Sequence, residues 1–156
     1  MQKIEQLLNQ YGDSHQNIVN KLIHWICVPA IFWTVMALLW VIPFPGDTKI
    51  FSIPLNWAVV GLVLLQLYYF RLSVPLALGF VVFNISMLVL TGYVESISPW
   101  PLWQLAIGVF VVAWIGQFIG HAVEGKKPSF FKDVQFLLIG PAWLLAAVYR
   151  VARLKY

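Results

Sequence analysis

Charge is scarce in this chain. Ten Lys and Arg with six Asp and Glu make only 10% of its 156 residues charged, against roughly 25% in an ordinary soluble domain. A soluble globule of this size must coat itself with such residues, and here there are too few. Cysteine is nearly missing as well. With Cys27 alone, an intramolecular disulfide, a CxxC redox pair and a multi-cysteine zinc site are all excluded. The opening MQKIEQLLNQYGDSHQN lacks the apolar core of a secretory leader, so cleavage is not expected. No CaaX ending or myristoylation start is present. What the chain does have is apolar surface: 61% hydrophobic residues, 16% aromatic and a mean hydropathy of +0.82. Those values exclude disorder and point to a single all-α integral membrane domain covering residues 1–156. The net charge of +4 would raise nucleic acid as a partner in a soluble protein. In a membrane protein, topology accounts for it, and no nucleic acid is expected.

A membrane-crossing helix needs about 20 mostly apolar residues. Four stretches qualify as expected spans, at about 22–44, 55–70, 72–94 and 100–120. The turn Pro43-Phe-Pro-Gly-Asp47 ends the first. Arg71 separates the second from the third, which carries Pro75 in its first turn, where proline is tolerated. Glu95-Ser-Ile-Ser-Pro99 is expected as the next loop. A last apolar segment, 134–149, is interrupted by Gly140-Pro141 and reads as a broken, re-entrant or interfacial helical segment. With four crossings, Lys3, Lys21, Arg71, Lys126, Lys127, Lys132, Arg150, Arg153 and Lys155 share one side, and only Lys49 lies on the other. The positive-inside bias then places both termini in the cytoplasm. Trp40, Trp57, Trp100 and Trp103 fall near the outer ends of the spans, as an aromatic belt should. Such a protein would reside in the inner membrane of a bacterium or the endoplasmic reticulum of a eukaryote.

Ionisable groups in membrane segments are costly and therefore candidates for function. The three histidines, His15, His24 and His121, all fall at the cytoplasmic boundary of this topology, with Glu124 one turn beyond His121. Asp13-Ser14 reads as a helix N-cap, which would start a helix at His15. Asn17, Asn20 and His24 recur at spacings of three and four and share a face. His15 is nine residues before His24, half a turn out of phase, and joins the same site only if the helix starts at or after it or a break intervenes. Three imidazoles and a carboxylate suit zinc or non-haem iron. Asn17, Asn20 and Gln117 are candidates to orient the imidazoles. Lys126 and Lys127 read as topological anchors, either of which could meet a substrate carboxylate. Gly116 and Gly120, in GxxxG spacing, read as a close helix contact.

The pattern Tyr11-x3-His15-x-Asn17-x2-Asn20-x3-His24-x4-Pro29, together with Trp114-Ile-Gly-Gln-Phe-Ile-Gly-His121, Glu124-Gly-Lys-Lys-Pro128-Ser-Phe and Gln135 to Pro141, resembles a membrane family formerly described as a domain of unknown function. This is the family of yeast-type 2-hydroxy fatty acid dioxygenases of phytosphingosine α-oxidation. The resemblance covers both ends of the chain, about 11–30 and 114–143; the middle spans match only in being apolar. It implies an Fe(2+)-dependent oxidation of a long-chain 2-hydroxy fatty acid by O2, giving CO2 and an acid one carbon shorter. It also implies that His15, His24 and His121, with Glu124, hold the iron and do the chemistry at the cytoplasmic face.

Other readings remain at this stage. The same histidines could serve a zinc or haem protein of different chemistry, since two histidines on different helices suit axial haem ligation. A non-catalytic membrane protein that binds lipid or assists assembly is a second alternative. Transport fits less well, because Asn84 and Ser86 are the only obvious polar groups at mid-span and an inverted repeat is missing. The oligomeric state is not readable from the sequence.

Overall fold

The computed structural model describes residues 2–46, 49–50, 53–127 and 135–156. Among these residues six helices carry the architecture: α1 (Gln2–Gly12), α2 (Ile18–Val41), α3 (Trp57–Leu72), α4 (Val74–Ile97), α5 (Leu102–Glu124) and α6 (Gln135–Val151). Between α2 and α3 lies a two-residue antiparallel ladder, β1 (Lys49–Ile50) on β2 (Ile53–Pro54). Lys132 and the Pro128-Ser-Phe motif fall outside the described residues.

Local chemistry sets most of the boundaries. In α1, Ile4, Leu8 and Tyr11 are buried while Glu5, Gln6, Asn9 and Gln10 are exposed, the pattern of a one-faced amphipathic helix. The expected cap at Asp13-Ser14 does not form. The amides of Asp13, Ser14 and His15 bond back to the carbonyls of Asn9, Tyr11 and Gly12, winding the chain off the end of α1. The cap of α2 is instead Asn17, whose side chain accepts from Val19 N at 2.8 Å. Asn56 caps α3 in the same way at Val59. Ser73 serves two helices: its N–H donates to Tyr69 O at the end of α3, and its hydroxyl accepts from Leu76 N at the start of α4. Glu95, Ser96 and Ile97, expected in a loop, continue α4. There Glu95 accepts from the Trp40 indole at 3.0 Å, a cross-helix bond that favours the extra turn.

The last segment also departs from expectation. Instead of breaking at Gly140-Pro141, α6 is a single helix with Pro141 inside it. A proline at an interior position costs about 3 kcal/mol. Burial of Ile139, Gly140, Ala142, Trp143 and Leu144 around it offsets that cost, and the Tyr69 hydroxyl donates to the neighbouring Leu138 carbonyl at 2.7 Å.

Among the described residues three helices, α2, α4 and α5, are long and apolar enough to cross a membrane. With 16 and 17 residues, α3 and α6 extend only about 24–26 Å at 1.5 Å per residue, short of the ~30 Å hydrocarbon layer. All of α6 keeps to one corner of the bundle. Gln135 bonds the Tyr68 hydroxyl near its start, and the Tyr149 hydroxyl donates to Pro75 O near its end. Together with α1 it closes an apolar core containing Ile4, Leu8, Tyr69, Phe80 and Trp143. A second core, around Trp33, Met36, Ala58 and Leu102, lies toward the other end of α2. The α3–α4 contact also carries a polar element that sequence inspection missed: Gln66 donates to Ala77 O and accepts from Asn84.

The most extensive helix contact is α2 on α5, and the GxxxG glycines make it. A Cβ at Gly120 would stand 2.5 Å from Asn20 Oδ1, and one at Gly116 2.7 Å from Cys27 Sγ. Both are too close for any side chain, so the two backbones approach only because these residues are glycine. Gly116→Ala is therefore expected to lower stability by about 1–3 kcal/mol, the usual cost of an overpacked core. Adding Cys27→Ala, which vacates the space the new methyl needs, should restore most of the loss. Thermal unfolding of the two variants in detergent checks this, with equal destabilisation of single and double mutants as the contrary result.

Candidate metal centre

Two backbone devices bring the histidines together. His24 and Asn20 lie on the buried face of the first turns of α2, and His121 is buried in the last turn of α5. His15 lies outside either helix, in the turn joining α1 to α2, so the helical phase that separates it from His24 does not apply. All three are buried, His15 and His24 to 1% exposure and His121 to 5%. Their ring centroids are 4.3 Å (His15–His24), 4.9 Å (His24–His121) and 5.0 Å (His15–His121) apart. Each brings a potential ligand atom within 4.8 Å of the other two.

The hydrogen bonds define which nitrogens are available. His15 Nδ1 lies 2.6 Å from Tyr11 O, and His24 Nδ1 lies 2.9 Å from Asn20 O. A carbonyl only accepts, so both Nδ1 atoms carry the proton, and in a neutral ring Nε2 then holds a lone pair. Burial pushes the His15 imidazole down to about 4, which keeps it neutral at physiological pH. His15 Nε2, His24 Nε2 and His121 Nδ1 are buried without a hydrogen-bond partner. Buried polar atoms are nearly always satisfied, and a divalent cation held by this histidine group would satisfy such unpartnered ring nitrogens. Neutral imidazoles held by a backbone carbonyl at the other nitrogen are also the usual form of histidine metal ligands.

The carboxylate is engaged by the turn that carries His15. Glu124 stands outside the histidine group and accepts three hydrogen bonds. Oε1 takes Gln16 N at 2.8 Å; Oε2 takes Asn17 N at 2.8 Å and Asn20 Nδ2 at 3.0 Å. It thus ties the end of α5 to the turn that carries His15. Asn20 adds a second tie, donating to Ser14 O at 3.2 Å. Asn17 spends its side chain on capping α2 and is exposed, while Gln117 is buried one turn before His121. Lys126 donates to Asp13 O at 2.5 Å, on the outside of the same turn, and Lys127 is exposed.

Two aromatic residues complete the surroundings. Tyr11 stacks on His15 at 4.2 Å and 12°, and Trp143 of α6 lies 5.4 Å from it. The Tyr11–His15 spacing of four carried a signal in the sequence; Trp143, from the far end of the chain, carried none. On its other side the cluster opens into an apolar cavity of about 650 Å³, to which His24, His121 and Gln117 contribute the polar end.

Comparison with known proteins places the chain in a family. The chain matches the family described as "2-hydroxy-palmitic acid dioxygenase Mpo1-like" over residues 1–151. It belongs to that family. It is also 28% identical over 142 residues to the 2-hydroxy-palmitic acid dioxygenase MPO1 of Saccharomyces cerevisiae, covering 88% of this chain and 75% of the yeast protein. No solved structure matches it. The Mpo1-like match spans all three histidines, Glu124 and Trp143, so the cluster lies wholly inside the shared region.

If Glu124 acts as the tie, Glu124→Gln should weaken the site without removing a ligand. The amide keeps one acceptor and turns a donor toward an N–H. The expected loss is about 1–2 kcal/mol, given its partial exposure. It would be read as a lower unfolding midpoint and weaker metal retention on dialysis. Complete loss of bound metal, with unfolding unchanged, would instead make Glu124 a ligand.

Proposed function

We propose that this protein is an iron(II)-dependent dioxygenase of long-chain 2-hydroxy fatty acids that releases CO2 and leaves the acid one carbon shorter. The observation that carries this reading is the cluster of His15, His24 and His121, each with a buried, unpartnered ring nitrogen, of which His24 and His121 line the polar end of an apolar cavity. The Mpo1-like family and the yeast dioxygenase supply the reaction class. The reaction balances with O2 as the sole oxidant: a 2-hydroxy acid and O2 give the shorter acid, CO2 and water. No 2-oxo acid is consumed, because the substrate provides the electrons.

His15, His24 and His121 would hold the metal; imidazole donors suit iron, and three of them leave coordination positions open. Iron(II) bound there supplies a centre that a 2-hydroxy carboxylate chelates and at which O2 is reduced. The chain's own residues do the remaining work. The carbonyls of Tyr11 and Asn20 fix the ring orientation of His15 and His24. Glu124 and Asn20 hold the turn. Tyr11 and Trp143 flank His15 and limit the access of water. Gln117, at the junction of cluster and cavity, offers a neutral amide to the substrate's carboxylate or hydroxyl.

The proposed placement in the bilayer follows from charge. With α2, α3, α4 and α5 crossing in turn and α6 lying along the membrane face, nine basic residues share the side of the histidines, opposite Lys49. Both termini and the metal centre are then cytoplasmic. The one-turn shortfall of α3 is of a size that local bilayer thinning accommodates.

The test is a product assay. Protein purified anaerobically in detergent receives iron(II), a 2-hydroxy fatty acid and then O2, and the products are resolved by mass spectrometry. An acid one carbon shorter, dependent on iron and reduced more than about 100-fold in His15→Ala, His24→Ala and His121→Ala, is the expected result, since even indirect disturbance of a metal site costs 10–100-fold. Undiminished turnover in His121→Ala would overturn the metal centre. Bound iron with no product would overturn the substrate class.

A further inference from the structure

We infer that the cavity is a lateral groove for the substrate's acyl chain, and that Leu39, Ala58 and Gly61 at its far end set the longest chain accepted. This rests on the reading above and adds a specificity determinant to it. Three helical stripes form most of the groove, and Tyr11 of α1 and the first turns of α6 complete its lining. Along α2 its floor runs through Val28, Ile31, Val35 and Leu39; α3 contributes Ala58, Gly61, Leu65 and Tyr68; α5 contributes Phe110, Trp114, Gln117 and His121. Each stripe repeats at three or four residues, so each is one continuous face of its helix. Polarity is segregated. His24, His121 and Gln117 stand at one end, and the distal lining is entirely apolar. An amphiphile with a chelating head and a single unbranched tail matches that division.

The length is informative. From His24 to Leu39 the floor spans about 22 Å at 1.5 Å per residue. An extended hydrocarbon advances roughly 1.25 Å per carbon, from a bond of about 1.5 Å at 111°. The groove therefore takes a chain of about 18 carbons. Its distal end abuts packed residues: Ala58 is 0%, Met36 3% and Leu62 8% exposed, and all three belong to the second core. Its side is open, since the lining residues Val35, Leu64 and Leu137 are exposed on the surface of the apolar bundle. A chain can thus enter sideways from the bilayer. Transfer from lipid into an equally apolar groove gains little, so discrimination by length comes from steric closure at the packed end. Gly61 is the point of greatest leverage. A Cβ there meets Leu39 at 3.4 Å, an ordinary contact, so a larger side chain fits the helix and occupies the groove's end.

Two readouts test this on the full-length protein. In the first, wild type, Gly61→Leu and Leu39→Ala are compared across 2-hydroxy acids of 10 to 22 carbons. Gly61→Leu should lose at least tenfold in relative turnover of the 16- and 18-carbon acids while staying within twofold on the 10- and 12-carbon acids, which also shows that it folds. Leu39→Ala should shift the optimum toward longer chains. An active wild type with an unaltered length profile in both variants overturns the groove and leaves the dioxygenase reading standing. In the second, a 16-carbon 2-hydroxy acid bearing a terminal diazirine is photolysed with the protein in nanodiscs, and the labelled peptides are mapped. Label at residues 36–39 and 58–62 supports the groove even if no acid is turned over, in which case only the dioxygenase reading fails. Label confined to the outer faces of α4 and α5 overturns the groove.

Discussion

One buried asparagine ties the site together. Asn20 is fully enclosed, and its side-chain amide and backbone carbonyl both reach parts of the site. Its side-chain amide donates to the Ser14 carbonyl and to Glu124, its backbone carbonyl orients His24, and its side-chain oxygen rests against Gly120. The turn carrying His15, the helix carrying His24 and the helix carrying His121 therefore meet at one residue. A larger residue at position 120 would force the helices apart, and with them the histidines. The helix contact and the imidazole cluster are thus one arrangement. In a low-dielectric interior such hydrogen bonds gain strength from their surroundings, while a buried polar atom left without a partner, as Asn20 Oδ1 is, is costly.

Much of the candidate site could be read in the sequence, within definite limits. Histidine scarcity and placement singled out the three imidazoles, and the phase argument stated the condition under which His15 could join them: a break between the helices. The fold supplies that break at residues 13–17, although the expected cap at Asp13-Ser14 was displaced to Asn17. Spacing alone placed Glu124 on the face of His121. It could not distinguish a carboxylate that ligates a metal from one that accepts backbone N–H groups, because the donors that engage it, Gln16 and Asn17, come from the other end of the chain. Lys126 is a similar case, since its partner is a carbonyl of the same distant turn.

The fold shows the same division between local and distant causes. Long uncharged runs gave α2, α4 and α5, and GxxxG spacing gave a close contact whose partners, Asn20 and Cys27, no periodicity could name. Gly140-Pro141 led to an expected break because propensity counts the missing N–H and not the packing around it. The helix continues because α1 and the α3–α4 corner enclose it. Gln66 was overlooked because one amide in an apolar run looks incidental until Asn84 is found opposite.

The histidines come from opposite ends of the chain, and this has a consequence for how the protein is made. His15 and His24 leave the ribosome early, while His121 follows roughly 100 residues later, a delay of ~5–20 s at ordinary rates of synthesis. The tie through Glu124 and the cover from Trp143 come later still. During that interval the first two imidazoles lack the third, and the turn between α1 and α2 lacks its main anchor. The centre is completed only after α5 has been inserted and has found α2. Its assembly is therefore a late event in biogenesis, downstream of membrane insertion, and it cannot guide the earlier helices into place.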